Sequence, residues 1–448
     1  MQHKHKLLIW SLGWILLLCS SGAQAGGGPS KGGEQGFFLQ VDRQKNTAIF
    51  QPQGFEETKL VRLGEKISPN DIVRDKKVMV SLQASQDGPE ILQEVSVMFI
   101  DMTWTKLLAL LAIGLVGGLL SGFIGSGGAF VLTPSMMTLG APGAVAVASN
   151  MCHKFPKSMV GAYKRYRYGQ ADIKLGLVMA VSAIGGVQLG IKLQQIVLDK
   201  WGNAGSNLYV SLAFVVILLV VGTYVLIDAL KSGSGTDDGK KPRLAQAMQK
   251  IHLPPMIHFK RADVVLSIWV TVPLGLATGM LAATIAVGGF IGVPGLMYLV
   301  GASAVVASAT ELVIAFVMGL WGSIQWGLDG FIDIRLTLGI LAASLIGVQI
   351  GALGTTYVRE SVIKLVMGAV MLIVAVSRGA KIPGYLSDLD VVSLHPALAI
   401  QLDRISFWAL VLALATAGCI ITGAMAKGML GSRSLRQQGL AKGTNNNL

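Results

Sequence analysis

Ionisable side chains in an otherwise apolar region mark the part of this sequence that could carry chemistry. The segment ASNMCHKFPK contains His153 and Lys154, which could bind an anion, and ASATELV contains the hydroxyl of Thr310 and the carboxylate of Glu311. Charged groups are costly inside hydrocarbon and are usually functional when they occur there. A buried imidazole or carboxyl can also titrate near working pH. These segments therefore predict an anion-binding site, with His153 or Glu311 as the carrier of a coupled proton.

Two further polar residues, Ser149 and Asn150, precede this histidine, and an internal alignment of the chain matches Asn150 with Glu311. We include both among the candidate substrate contacts. A structural role is open as well, because the lysines of this segment could extend to an interface and Glu311 could pair with one of them. Cys152 lies beside His153, but a single buried cysteine usually behaves as a small hydrophobic residue.

Two blocks rich in glycine and ending in proline, GSGGAFVLTP and AVGGFIGVP, interrupt apolar runs of membrane length. Both residue types weaken a helix, so each block predicts an interrupted helix or a re-entrant hairpin. The free N–H groups at the start of a resumed helix suit an anion, whereas close helix packing through small residues is the alternative. The candidate substrate contacts in these blocks are Gly127, Gly128, Pro134, Gly288, Gly289 and Pro294.

The motifs GVQLG and GVQIG place Gln188 and Gln349 at matching mid-helix positions. Either glutamine could donate to a substrate or bond to a neighbouring helix, and the sequence leaves both roles open. No GK[ST] follows the glycine blocks, no CxxC, carboxylate-pair or nucleophile-triad pattern occurs, and no paired-histidine pattern occurs in the membrane region. We therefore expect no catalytic residues, no metal and no other cofactor.

The composition places these residues in a membrane. The chain has 448 residues, of which 52% are hydrophobic and 14% charged, and its mean hydropathy is +0.61. Soluble domains carry about 25% charged residues. The net charge of +13 comes largely from short loops and the tail, which is typical of cytoplasmic loops and not of a folded nucleic-acid surface. We therefore predict an all-α polytopic membrane protein that binds no nucleic acid.

The chain before the membrane region has a different character. Residues 1–25 have a basic start, an apolar run and Ala23-Gln24-Ala25, which predict a signal peptide, with an uncleaved anchor as the alternative. Alternating runs over 26–104 predict a small extracytoplasmic β domain. The other predicted segments are transmembrane repeat 1 (105–230), a cytoplasmic linker (231–262), transmembrane repeat 2 (263–378), an extracytoplasmic loop (379–405), a final transmembrane helix (406–427) and a cytoplasmic tail (428–448).

The two membrane halves are related to each other. Residues 140–190 align with 301–351 at a constant offset of 161. The turn at 163–174 is basic and its partner at 324–335 is mainly acidic, so we expect the first in the cytoplasm and the second outside. This predicts two inverted-topology repeats, with either nine crossings and two hairpins or eleven crossings. Many secondary transporters have such an architecture.

Five motifs, GSGGAFVLTP, LGAPGAVAVASN, RYGQADIKL, ASATELV and DGFIDIRL, together resemble the sulfite exporter TauE/SafE family of bacterial membrane transporters. The resemblance covers about residues 105–380. It implies two homologous halves and ion-coupled transport of a sulfur-containing anion such as sulfite, thiosulfate or an organosulfonate. It also implies a substrate-site role for the glycine–proline blocks and for the Ser149-Asn150 and Thr310-Glu311 positions.

We therefore expect a multi-pass protein of the bacterial inner membrane that moves a small sulfur-containing anion by alternating access. Its N-terminal domain is expected to be extracytoplasmic and its C-terminus cytoplasmic. The expected partners are lipid, the anion and a coupling proton or sodium ion, and a homodimer is left open. The alternative function is a membrane sensor or partner-binding protein that uses the extracytoplasmic domain.

The predicted inversion can be tested by cysteine labelling. We expect Tyr166→Cys and Leu328→Cys, each made in a chain whose own three cysteines are replaced by alanine, to lie on opposite sides of the membrane. A membrane-impermeant maleimide should label only Leu328→Cys in intact spheroplasts and only Tyr166→Cys in inverted vesicles. Labelling of both variants from the same side would contradict the inversion.

Overall fold

A computed structural model of the chain describes residues 34–42, 44–52, 57–64, 77–83, 85, 88–97, 99–125, 128–232, 242–389 and 391–445. The predicted signal peptide and Gly127 lie outside these residues. The described chain has a small strand region near its N-terminus, followed by a mainly helical region.

The strand region forms a closed five-stranded barrel. Its strands are β1 (Glu34–Asp42), β2 (Thr47–Pro52), β3 (Lys59–Leu63), β4 (Lys77–Gln83) and β5 (Glu90–Val97). The order around the barrel is β1-β2-β3-β5-β4, with β3 and β5 parallel, which is the topology of an OB-fold. Inward-facing side chains such as Phe38, Phe50 and Val61 fill the interior. The predicted β domain is therefore present, and its side of the membrane stays a prediction.

The first half of the helical region begins after the barrel. Its helices are α1 (Trp104–Ile124), α2 (Ala129–Thr138), α3 (Gly143–Arg167) and α4 (Ile173–Ser232). The Thr103 side chain caps α1 by accepting a hydrogen bond from the amide of Lys106. Helix α1 ends at Gly125, whose φ of 108° favours glycine. Helix α4 has non-helical geometry at Gly202, so it forms two arms of membrane length.

A short linker and a second set of helices follow. The linker contains α5 (Arg243–Gln249), β6 (Met256–Phe259) and β7 (Val264–Ser267). The second set comprises α6 (Ile268–Ile285), α7 (Gly289–Gly295) with a π-helical turn (Leu296–Val300), α8 (Ala304–Leu328), α9 (Ile334–Gly354), α10 (Glu360–Asp388) and α11 (Pro396–Asn445). Within the described chain, 7 helices are long and apolar enough to cross a membrane, with α4 counted once. The prediction of a polytopic helical membrane region is confirmed.

The predicted loop at 379–405 is much shorter in the structure. Helix α10 continues to Asp388, and α11 begins at Pro396, before the start predicted at 406. The two helices are joined by an ion pair between Lys381 and Asp403 at 2.6 Å. Helix α11 also continues beyond the end predicted for the final transmembrane helix. Both helices are therefore longer than the predicted spans, and which of their residues lie in the membrane stays a prediction.

Matching helices of the two halves follow the offset found in the sequence. Helices α3 and α8 each have 25 residues and begin 161 positions apart. Helices α2 and α7 begin 160 positions apart, and the separation returns to 161 at α8. The π-helical turn between α7 and α8 accommodates an additional residue. It explains the one-residue slip between the two glycine–proline blocks.

The helices that join the halves make reciprocal contacts. Gly118 of α1 lies against the carbonyl of Ser344 in α9, and Gly279 of α6 lies against the carbonyl of Ala183 in α4. The two contacts are related by the same offset of 161. A Cβ at either glycine would collide with that carbonyl, so only glycine permits the close approach. Each half is therefore packed against the other through the same pair of surfaces.

The central helices α3 and α8 cross in opposite directions. Gly161 of α3 lies against Leu312 near the start of α8, whereas Gly322 near the end of α8 lies against Met151 of α3. Helices α1 and α9 are parallel, because successive glycines along α1 contact successive residues along α9 in the same order. Two equivalent helices that meet antiparallel are related by a twofold axis perpendicular to them.

In each half, a short helix folds back on the long helix before it. A Cβ on Gly128, at the start of α2, would collide with the carbonyl of Gly117, and one on Gly288 would come within 2.7 Å of the carbonyl of Thr278. Helix α2 has 10 residues, so it extends about 15 Å, roughly half of a bilayer core of about 30 Å. Helices α1–α2 and α6–α7 therefore form two helical hairpins, and the number of membrane crossings stays a prediction.

The reciprocal glycine contacts predict matched effects on stability. We expect Gly118→Ala and Gly279→Ala each to destabilise the protein by about 1–3 kcal/mol, because the added methyl group forces the helix backbones apart. Gly418→Ala in α11 is the matched control, since no atom lies within 4 Å of its added Cβ. Thermal unfolding in detergent should show lower midpoints for the first two variants only. Midpoints equal to that of the control would contradict the close packing.

Candidate functional site

The central pair of helices buries the polar residues that the sequence singled out. Asn150, His153 and Lys154 on α3, and Thr310 and Glu311 on α8, have no exposed surface. His153 and Lys154 follow Asn150 by three and four residues, so the three side chains lie on the same side of α3. The predicted anion-binding residues therefore lie in the interior, between the two halves.

Asn150 and His153 connect the first hairpin to the second half. The side-chain amide of Asn150 donates to the carbonyl of Ala129 at 3.0 Å and to Oγ1 of Thr133 at 2.8 Å. Its Oδ1 lies 3.1 Å from Nδ1 of His153, and Nε2 of His153 lies 2.8 Å from Oγ of Ser344 in α9. Both ring nitrogens are therefore held by protein groups.

Lys154 and Glu311 lie at the second hairpin. Nζ of Lys154 donates to the carbonyl of Ala286 at 3.3 Å, where α6 ends in the left-handed conformation. The carboxylate of Glu311 packs against Gly292 of α7, and its charge acts on Lys154. Lys154 thus binds the break of the opposite half, and its role toward a substrate stays a prediction.

Lys157 lies on the same face of α3 and differs from its neighbours. Its Nζ is fully buried and has no hydrogen-bond partner among the described residues. The charge of Lys157 acts on His153, and that of Lys154 acts on Lys157. A buried ammonium group without a partner is costly, so this position can accept an anion.

The two interruptions meet although they are about 160 positions apart. Oγ1 of Thr133 in α2 donates to the carbonyl of Ile285 at the end of α6, at 3.4 Å. Reciprocally, Val293 of α7 lies against Gly125 at the end of α1, where an added Cβ would be 3.2 Å from its methyl group. The returning helix of each half therefore contacts the break of the other half.

The hydroxyls of Ser149 and Thr310 hold the starts of two long helices. Ser149 Oγ accepts a hydrogen bond from the amide of Asp333 at 2.9 Å, and Thr310 Oγ1 accepts one from the amide of Asp172 at 3.0 Å. The offset of 161 relates both contacts. Ser149 thus holds the start of α9 in the second half, and Thr310 holds the start of α4 in the first half. Their role toward a substrate stays a prediction.

The two glutamines bond to helices and are only half-buried. Nε1 of Trp321 donates to Gln188 at 3.3 Å, and Gln349 donates to the carbonyl of Leu345 in its own helix at 3.1 Å. No hydrogen bond between described residues joins either glutamine to His153 or Lys154. The other candidates are placed at the hairpins, with Gly128 and Gly288 at the starts of α2 and α7, Gly289 as the first residue of α7, and Pro134 and Pro294 buried inside those helices.

A family model described as sulfite exporter TauE/SafE matches residues 110–378, more than half of the chain. The chain belongs to the TauE/SafE family. The matched region includes both hairpins and the central pair of helices, whereas the barrel lies outside it. Among the described residues, no group of three or more His, Cys, Asp or Glu side chains could hold a metal ion.

Two relatives have names consistent with this family. "Probable membrane transporter protein YdhB" of Bacillus subtilis (strain 168) is 26% identical over 253 residues, which are 55% of this chain and 89% of that protein. "Probable membrane transporter protein YjnA" of the same strain is 22% identical over 266 residues, which are 59% of this chain and 96% of that protein. No solved structure matches the chain. This TauE/SafE chain is therefore a multi-pass membrane transporter.

Arg165 is a buried residue whose contacts the sequence did not indicate. Its guanidinium donates to the carbonyls of Gly122 and Phe123 at the end of α1, at 2.9 and 3.4 Å. It also donates to the carbonyl of Val305 at 2.7 Å and to Oγ of Ser308 at 2.8 Å. The sequence indicated only that Arg165 belongs to a basic turn, which we expected in the cytoplasm. In the structure, Arg165 contacts Gly122 and Val305, and these contacts identify it as a link between the halves.

Loss of this link should destabilise the TauE/SafE fold of the chain. We expect Arg165→Met to lower the free energy of unfolding by about 3 kcal/mol or more, because it leaves several buried carbonyls unsatisfied. Arg165→Lys should not rescue it, because an ammonium group cannot make the same forked contacts. Arg167→Met, two residues away and exposed, is the control. Similar thermal unfolding of Arg165→Met and Arg167→Met in detergent would contradict this role.

Proposed function

We propose that this TauE/SafE transporter moves a small sulfur-containing anion, such as sulfite, thiosulfate or an organosulfonate, by alternating access. The observation that carries the proposal is the row of His153, Lys154 and Lys157 on one face of α3, fully buried beside both helix breaks. Buried basic groups suit an anion, and free helix N-termini add positive potential. The family name supports sulfite and its chemical relatives as substrates.

The proposed inversion of the repeats follows from the direction of the central helices. Helices α3 and α8 are equivalent by sequence offset and cross antiparallel. If both cross the membrane, the axis that relates them lies in the membrane plane, as in other inverted-repeat transporters. Rocking of one half against the other about this axis would expose the interior site to each side in turn.

The proposed orientation places the barrel and the predicted signal peptide outside the cytoplasm and the C-terminus inside, in the bacterial inner membrane. The basic turn at the end of α3 and the basic tail support this orientation. Coupling to a proton would use Glu311 or His153, which are buried between the halves. A sodium gradient is the other proposed energy source.

Transport by purified protein tests the proposal. We expect proteoliposomes to take up radiolabelled sulfite, thiosulfate or methanesulfonate with saturable kinetics, because the buried basic row provides a finite number of sites. Protein-free liposomes and uptake of labelled phosphate are the controls. An imposed proton gradient and an imposed sodium gradient, applied separately, should show which one drives accumulation. Uptake of all three sulfur anions at the level of protein-free liposomes would contradict the proposed function.

A further inference from the structure

The start of α2 is surrounded by polar groups that the protein itself does not satisfy. Gly128 occupies the N-cap position and has no side chain with which to cap the helix. Oγ of Ser121 in α1 lies 2.6 Å from the position that a Cβ on Gly128 would take. This hydroxyl is fully buried and has no hydrogen-bond partner among the described residues. Because the first N–H groups of a helix also lack intrahelical partners, several donors converge at this point.

The side chain of Lys157 is directed to the same point by the helix on which it lies. Asn150 fixes the register of α3 against α2 through the carbonyl of Ala129, the first residue of α2. Lys157 follows Asn150 by seven residues, which is two turns or about 10 Å along the same face of α3. Because α2 and α3 run in opposite directions, this step passes the start of α2 and reaches the break. Lys157 is therefore positioned on α3 beside the break that precedes α2.

The equivalent residues of the second half support the placement of Lys157. They also show that the two halves differ at this position. The residue of α8 equivalent to Lys157 at the offset of 161 is Met318. The terminal methyl group of Met318 would be 2.7 Å from a Cβ on Gly288, which is the start of α7 and the counterpart of Gly128. The equivalent of Ser121 is Ala282. The corresponding position in the second half is therefore apolar and filled by protein.

The three basic residues on this face of α3 differ in how they are held by the protein. Lys154 is bound to the carbonyl of Ala286 and its charge is opposed by Glu311. His153 has both ring nitrogens engaged by Asn150 and Ser344. Lys157 remains as the cation without a hydrogen-bond partner among the described residues. A ligand with a single negative charge and several acceptor oxygens would neutralise it.

We propose that the transported anion is held in the first half only, at the start of α2, by the ammonium of Lys157 and the hydroxyl of Ser121. The ligand class is a small oxyanion with one negative charge, such as hydrogen sulfite or a sulfonate head group. This inference rests on the proposed transport function and adds the location of the site and its asymmetry. One anion is bound per chain, and the second half supplies the moving scaffold.

Binding and transport by paired variants test the inference. We expect Lys157→Met, which introduces the residue found at the equivalent position, and Ser121→Ala to weaken binding of radiolabelled sulfite to the purified protein. The expected losses are about tenfold or more for Lys157→Met and about fivefold for Ser121→Ala. Lys164→Met on the same helix is the control, and it should bind sulfite like the wild type. Transport in proteoliposomes should fall in parallel with binding.

Thermal stability separates a ligand site from a structural role. Replacement of an unpartnered buried ammonium by an isosteric apolar chain should leave the unfolding midpoint of Lys157→Met equal to or above that of the wild type. The double variant Lys157→Met/Met318→Lys should remain defective, because Ser121 has no counterpart in the second half. Recovery of binding in the double variant would overturn the asymmetry.

The failure of this inference differs from the failure of the proposed function. Wild-type transport of a sulfur anion together with wild-type binding by both Lys157→Met and Ser121→Ala would overturn the location of the site and leave the transport function standing. Absence of binding and transport in the wild type would overturn both. A loss of binding in Lys157→Met that is accompanied by a lower unfolding midpoint would assign Lys157 a structural role and would also overturn the site.

Discussion

Every backbone group inside a bilayer must find its partner within the protein, and two interrupted helices make this demand acute here. Helix α3 meets it for both hairpins. Lys154 donates to the carbonyl of Ala286 at the end of α6, and Arg165 donates to those of Gly122 and Phe123 at the end of α1. The interrupted helices therefore depend on the polar side chains of α3 to satisfy their backbone carbonyls. The same side chains give the interior its positive charge.

The scaffold is duplicated, but its polar content is not. Glycine–carbonyl contacts such as Gly118 with Ser344 and Gly279 with Ala183 recur at one offset, because both halves need the same close backbone approach. Around the breaks, the first half has His153, Lys154 and Lys157, and the equivalent positions of the second half are Ile314, Ala315 and Met318. The backbone around the breaks is therefore symmetric between the halves, whereas the side chains are not.

Much of this arrangement could be predicted from the sequence, because the signals are local. Long uncharged runs indicate membrane helices, and the glycine–proline blocks indicate breaks wherever they occur. The helical structure within 379–405 was not predicted, because the ion pair of Lys381 with Asp403 depends on a neighbouring helix. Arg165 was missed for a similar reason. Its partners Gly122 and Val305 are distant in the chain, and a basic turn alone does not show that a guanidinium folds inward.

The sequence by itself determined the membrane class, the family, the duplication and the residue types of the buried cluster. Each of these depends on composition, periodicity or self-similarity, which can be read without knowing which segments meet. Only the tertiary structure decided what each polar side chain does. Ser149 and Thr310 are occupied by the amides of Asp333 and Asp172, whereas Lys157 has no hydrogen-bond partner among the described residues. Whether a polar atom is satisfied depends on groups brought together from distant parts of the chain, and packing alone sets those distances.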